Sequence, residues 1–257
     1  MASQAPFSSH AISRLSKNEL ARRIALARED AVPEMQAPPL RLLLGESAYF
    51  AEPLLRLFRR IEVAKAQQPR IVMILPGFAT HPSRMRYLAR HLEQAGHKTK
   101  RWGLGFNLGP TPANIDRLEQ RLAEVHARYG QQVVLLGWSL GGLFARELAK
   151  RRPELVAKVI TMGSPFSGDP RANNAWRLYQ FVTGHRVDNP PVDTAIAAKP
   201  PVETIALWSP RDGIVAPRSA RGKPGERDRA VALRCRHMGF SYAPEAIATV
   251  LQELDRS

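Results

Sequence analysis

From Arg70 onward, short apolar runs alternate with stretches of helical period. The runs are IVMIL (71–75), the weaker HKTKRW (97–102), VVLLG (133–137), VAKVITM (156–162), ETIALW (203–208) and AVALRC (230–235). Helical stretches fall at 83–95, 114–129, 140–151 and 244–254, most clearly where Ile115, Leu118, Leu122, Val125 and Tyr129 recur every three or four residues. Strands buried on both faces of a parallel sheet read as unbroken apolar runs, as these do. The pattern predicts an α/β fold, with a mostly parallel sheet of about six strands flanked by helices.

Two regions depart from the alternation. Residues 1–68 contain no convincing strand. Ile12, Leu15, Leu20, Ile24 and Leu26 suggest one helix, and Leu54, Leu57, Phe58 and Ile61 a second, separated by Pro33 and Pro38-Pro39. We read 1–68 as an N-terminal helical extension and 69–257 as the main domain. Arg56, Arg59, Arg60 and Lys65 beside the second apolar stripe would suit weak contact with an anionic membrane surface. The preferred reading is a helix packed on the domain with a solvated charged face. The other departure is 164–201, rich in Pro, Asn and Gly, with Trp176, Tyr179 and Phe181 in its middle. It is too long and too punctuated for a plain crossover, and it is expected to form a lid or substrate wall.

Composition narrows the classes. The 257 residues are 44% hydrophobic and 24% charged, ordinary for a globular chain. Cys235 is the single cysteine, so no internal disulfide can form, and its apolar run marks it as a packed core thiol. The N-terminus, MASQAPFSSHAISRLSKNEL, has no basic region followed by a long apolar stretch, so the expectation is cytoplasmic residence without a membrane span. The net charge of +15 would permit an anionic partner, but the arginines are scattered and no nucleic-acid-binding signature accompanies them. No nucleic-acid partner is expected, and the sequence sets no oligomeric state. No His, Cys or carboxylate cluster has metal-ligand spacing, and no phosphate loop is present, so neither metal nor cofactor is expected.

The chemistry concentrates in VVLLGWSLGG (133–142). A buried strand stops at Gly137, and Ser139 stands between that glycine and Gly141-Gly142 before the helix LGGLFARELAKR. A sharp strand-to-helix turn strains the serine backbone and demands small neighbours. It lifts the hydroxyl clear of the sheet and aims a helix N-terminus at the reacting atom. A serine needs a base, and in an open parallel sheet that base comes from the carboxyl end of another strand. ETIALW is followed by SPRDGIV, carrying Asp212; AVALRC is followed by RHMGF, carrying His237. The order Ser139, Asp212, His237 is that of a nucleophile, an orienting acid and a general base on successive strand ends. Asp169 competes with Asp212 for the acid role, and His185 and His81 with His237 for the base. His91, His97 and His126 fall on expected helix or strand surfaces and read as solvated.

These residues resemble an α/β-hydrolase of the bacterial esterase/lipase-like kind. The likeness is carried by Gly137 to Gly142, by Ser209 to Val215, by His237 and by Leu75-Pro76-Gly77-Phe78, which matches the family's oxyanion loop. Pro76 stands where the family often has histidine. RWGLGFNLGPTP (101–112) is also similar to a stretch in lipase-like members. The resemblance spans roughly 70–255. It implies hydrolysis of carboxylic esters of hydrophobic acyl groups through an acyl-enzyme, with the backbone amides of Phe78 and Leu140 as oxyanion donors. Small-molecule or lipid-like esters are the expected substrates, and Trp138, Trp176, Tyr179 and Phe181 the expected substrate-binding side chains. The same elbow also serves acyltransferases and thioesterases, and a non-catalytic binding protein is the remaining alternative.

Overall fold

The structure is a computed structural model that describes residues 16–30, 36–51, 61–192 and 195–256. Within these residues one sheet contains β1 (Ile71–Leu75), β2 (Lys98–Arg101), β3 (Val133–Trp138), β4 (Val156–Met162), β5 (Glu203–Trp208) and β6 (Arg229–Ala232). The order is β2-β1-β3-β4-β5-β6, and every neighbouring pair is parallel. Along the chain, α3 (Arg86–Ala95), α4 (Pro112–Tyr129), α5 (Leu140–Arg151) and α8 (Pro244–Asp255) cover its faces, and the short α7 (Pro217–Arg221) follows β5. Successive side chains of a strand point to opposite faces. Val72 and Ile74 accordingly pack with Leu88 and Leu92 of α3 and Ile247 and Val250 of α8. Ile71, Met73 and Leu75 pack with Ile115, Leu118 and Leu122 of α4 and Phe144 and Leu148 of α5. The apolar runs are thus continuous because both of their faces are covered.

The ends of the sheet differ from its middle. The polar run HKTKRW forms the edge strand β2, whose charged, partly exposed side chains discourage pairing with another chain. AVALRC does not remain a strand throughout. β6 stops at Ala232, while Leu233 and Cys235 turn into the core. Among the described residues β6 pairs with β5 alone, and beyond it the Ser209 hydroxyl donates to the Cys235 carbonyl at 2.5 Å. That bond carries the chain across the end of β5. Burial pushes the Cys235 thiol up from its ordinary range, as expected of a core thiol.

His91 and His97 are buried rather than solvated. Gly96 closes α3 in the left-handed region and folds His97 back under the helix, where Nδ1 accepts the Arg70 amide at 3.1 Å. Burial lowers the His97 pKa. His91 donates Nδ1–H to the Tyr87 carbonyl at 2.8 Å, one helical turn back. His126 is half-buried.

In the N-terminal part, α1 (Lys17–Ala27) and α2 (Leu40–Gly45) are helical. Ile12, Leu15, the stripe Leu54, Leu57 and Phe58, and the basic residues Arg56, Arg59 and Arg60 lie outside the described residues. Ile61 packs against the core, and Lys65 donates to the Gln94 carbonyl at 3.0 Å. α1 lies along α6 (Trp176–Thr183), in the middle of 164–201. Arg22 and Arg23 donate to the carbonyls of Gly184 and Val182 at 2.9 and 2.6 Å, satisfying acceptors left open at the end of α6. Among the described residues, no helix is long and apolar enough to cross a membrane.

The return of segment 164–201 to the sheet depends on a buried arginine. Arg146 of α5 is 1% exposed and donates to the carbonyls of Ile196, Ala197, Ala198 and Glu226 at 3.0–3.2 Å. Its guanidinium also lies 4.1 Å from the Phe166 ring centroid. Burial lowers its pKa to about 10, which leaves it cationic at neutral pH. Arg146→Met removes the buried donor from these partly buried carbonyls and should cost about 3 kcal/mol in a urea melt. Arg146→Lys should recover little of that loss, because one ammonium lacks the planar fork that reaches separate acceptors.

Candidate active site

β3 ends at Trp138 and α5 begins at Leu140, so Ser139 alone makes the turn between them. Its φ of 53° and ψ of −124° are values that residues with a side chain rarely adopt. The turn closes only without neighbouring side chains: a Cβ on Gly137 would overlap the Gly141 carbonyl, and one on Gly141 the Leu75 carbonyl. The Ser139 amide donates to the Met162 carbonyl at 2.8 Å, tying the turn to the end of β4. Leu140 opens α5, so its amide has no carbonyl one turn earlier to bond.

Asp212 follows β5 and is fully buried. Oδ1 accepts the amides of Ile214 and Val215 at 2.8 and 2.7 Å, and Oδ2 takes the Nδ1–H of His237 at 2.8 Å. A carboxylate can only accept here, so the ring proton sits on Nδ1 and Nε2 is the basic nitrogen. Burial of His237 by itself would lower its pKa. The charge and hydrogen bond of Asp212, joined by the charge of Glu46, outweigh that, and the net shift is upward. Trp138 donates Nε1–H to the His237 carbonyl at 3.1 Å, with the ring centroids 5.7 Å apart. The residue before Ser139 therefore holds the histidine loop.

The loop after β1 is braced from outside. Asn107, fully buried, donates Nδ2–H to the Pro76 carbonyl at 2.8 Å and its amide to the Thr80 carbonyl at 3.0 Å. It also accepts the Ala79 amide at 2.7 Å, and Ala79 has a φ of 54°. Phe78, inside this braced loop, lies with its ring centroid 5.4 Å from that of Tyr179 in α6.

A family model for the alpha/beta hydrolase fold matches residues 62–186, from just before β1 through the Ser139 turn to α6. Over that span the chain has the alpha/beta hydrolase fold. It is similar to a pimeloyl-[acyl-carrier protein] methyl ester esterase of Nitrosospira multiformis, 32% identical over 119 residues. That match covers 43% of this chain and 44% of the relative. A protein of the same name in Aromatoleum aromaticum is 37% identical over 67 residues, 26% of this chain and 27% of the relative. The chain thus spans less than half the length of the curated relatives it matches. Among solved structures, a pyrethroid hydrolase superposes with a TM-score of 0.52 at 15% identity, over 73% of this chain and 98% of that one. Lipase B of Aspergillus fumigatus does so with a TM-score of 0.51 at 18% identity, over 74% of this chain and 53% of that one. At such identities the likeness is one of fold.

Ser139 opens on a cavity of about 120 Å³. The lining is apolar, with Phe78, Leu143, Phe144, Trp176, Tyr179 and Val192 among its walls. Burial there pushes the Tyr179 phenol up to about 12, so it stays neutral. Phe181 does not line the cavity. It is half-buried at the far end of α6, beside the carbonyl contacts that α1 makes. Trp138 does not line it either; it is a core residue, for the reason already given. Asp169 is exposed, its Oδ1 capping the Arg171 amide at 2.7 Å. His81 is exposed and bonded to Ser83, and His185 is half-buried away from the cavity. Sequence reasoning missed Asn107 and Glu46. An asparagine within a Gly- and Pro-rich loop is a recognisable turn brace, whereas nothing around Glu46 in the chain sets it apart.

Proposed function

We propose that this chain is a serine hydrolase that cleaves carboxylic esters of hydrophobic acyl groups through an acyl-enzyme. The observation that carries the proposal is Ser139, on a strained turn that lines an apolar cavity, with its neighbour Trp138 bonded to the loop of the buried Asp212–His237 pair. The names of the curated relatives, and of the structurally similar hydrolase and lipase, agree with ester substrates. His237 Nε2 takes the Ser139 proton as Oγ attacks the ester carbonyl, and Asp212 stabilises the resulting imidazolium. The amides of Phe78 and Leu140 receive the developing oxyanion, aided by the N-terminus of α5. Imidazolium then protonates the departing alkoxide. Water, activated by the same nitrogen, releases the acid. Residues 164–201 act as the lid over the acyl chain. The test is a series of p-nitrophenyl esters of increasing chain length, run beside Ser139→Ala.

Two further outcomes follow from this reading. The Trp176 and Tyr179 wall should favour longer acyl chains by at most about 0.8 kcal/mol per methylene, roughly fourfold each. Trp176→Ala should flatten that profile and Phe181→Ala should leave it intact; the reverse would move the acyl site to the other end of α6. The base must be neutral to act, and the His237 pKa is raised. Activity should therefore rise with pH through a midpoint above the ordinary histidine value of about 6.5. A midpoint below that value would contradict the Asp212 pairing.

A further inference from the structure

Glu46 begins the 3-10 turn Glu46–Ala51 that follows α2, and it is only 7% exposed. Its Oε1 accepts the amides of Gly213 and His237, both at 2.9 Å, and its Oε2 accepts the Met238 amide at 3.0 Å. Gly213 follows Asp212 in the chain, and Met238 follows His237. One side chain thus binds the backbone of both loops that meet in the acid–histidine pair. The rest of the segment fits the same two loops. A Cβ on Gly213 would overlap the Leu42 carbonyl of α2, so the residue after the acid must be small for α2 to lie there. A Cβ on Gly45 would come within 3.0 Å of the Arg236 guanidinium, next to His237. Asn174 donates Nδ2–H to the carbonyls of Pro38 and Gly213 at 2.9 and 2.8 Å, joining the two directly.

The 2.8 Å bond between Asp212 and His237 spans two loops that leave different strands. Its geometry depends on where each loop sits, and misplacement by about 1 Å in a catalytic constellation costs on the order of a hundredfold. A carboxylate accepts several N–H groups at once, which neither water at a closed site nor a neutral side chain does as well. Glu46 does not line the cavity, so it reaches the reaction through these loops and through its charge beside His237.

We propose that Glu46 is a positioning residue of the active site, locking the Asp212 and His237 loops in register, so that the N-terminal segment is part of the catalytic apparatus although it precedes the matched span 62–186. The proposal rests on the serine-hydrolase reading for its effect on rate. The side chain also places a second negative charge beside His237, after that of Asp212.

The test compares Glu46→Gln and Glu46→Ala in the full chain with Lys158→Met as a stability control. Lys158 is buried near the start of β4, away from the strand ends that carry the site. It pairs there with Glu203 at 3.0 Å and donates to the Glu253 and Arg256 carbonyls. Glutamine can still accept from Gly213 and His237 but presents an N–H to Met238. Glu46→Gln should lower kcat about tenfold with KM little changed, and Glu46→Ala about a hundredfold. Lys158→Met should lower Tm and leave kcat alone. The His237 imidazole titration, followed by NMR, needs no turnover, and its midpoint should fall in Glu46→Gln because a neighbouring negative charge is lost. A Glu46→Gln variant with wild-type kcat and an unmoved titration overturns the proposal. So does a kcat loss no greater than that of Lys158→Met at matched Tm. Wild-type protein that takes no fluorophosphonate at Ser139 would instead overturn the serine-hydrolase reading, and the titration would still decide the place of Glu46.

Discussion

Ser139→Ala should reduce ester turnover by about a millionfold, the loss that follows removal of a triad nucleophile. Alanine keeps the backbone, the cavity and the α5 amides but has no oxygen on which an acyl group can rest. The remaining rate is what the oxyanion donors and binding supply by themselves. Intact mass after fluorophosphonate treatment reads the same event directly: one adduct on the wild type and none on the variant. An adduct that persists on Ser139→Ala places the nucleophile elsewhere. The turn itself makes a second outcome measurable. Ser139 holds a φ of 53°, a conformation that costs a side-chain-bearing residue about 1–3 kcal/mol. Ser139→Gly should be as inactive as the alanine variant yet more stable than the wild type in a thermal melt, because glycine adopts that backbone without strain. Equal or lower stability would mean that the strain is carried elsewhere.

Asp212→Asn should lower kcat by about ten-thousandfold, and the surroundings of the carboxyl explain why. Two amides, of Ile214 and Val215, hold Oδ1 from one side. An asparagine there keeps its oxygen toward those donors and turns its NH₂ toward His237 Nδ1. The ring must then carry its proton on Nε2, the nitrogen meant to receive one from the serine, and the imidazolium loses its counter-charge. Asp169→Asn should leave kcat close to wild type, since Asp169 is exposed and spends its carboxylate on the Arg171 amide. If the two variants exchange their effects, the acid belongs to the loop after β4.

The properties that the sequence by itself determined are those written in neighbouring residues. Continuous apolar runs mark strands covered on both faces, and the three- and four-residue spacing of Ile115, Leu118, Leu122 and Val125 marks one buried helix stripe. The Ser139 turn was legible because its cause lies within a few positions: a strand end, a helix start, and glycines where backbone passes backbone. Asp212 and His237 could be picked out because a parallel sheet sends its strand ends to one edge, so order along the chain becomes neighbourhood in space. What only the tertiary structure decided depends on contacts between distant parts of the chain. Glu46 meets His237 across 191 positions, and Arg146 meets Ala198 across 52. No local period records such a meeting. Trp138 was among the expected substrate-binding side chains, yet strand alternation sends its ring to the opposite face, under the histidine loop. Phe181 shares a helix with Trp176, but five residues further along α6 the wall of the cavity has already been passed. The strands and the turn follow from local sterics and periodicity. The partners of buried polar groups follow from how the folded sheet brings its loops and the N-terminal segment together, and desolvation enforces those pairings only once that packing has occurred.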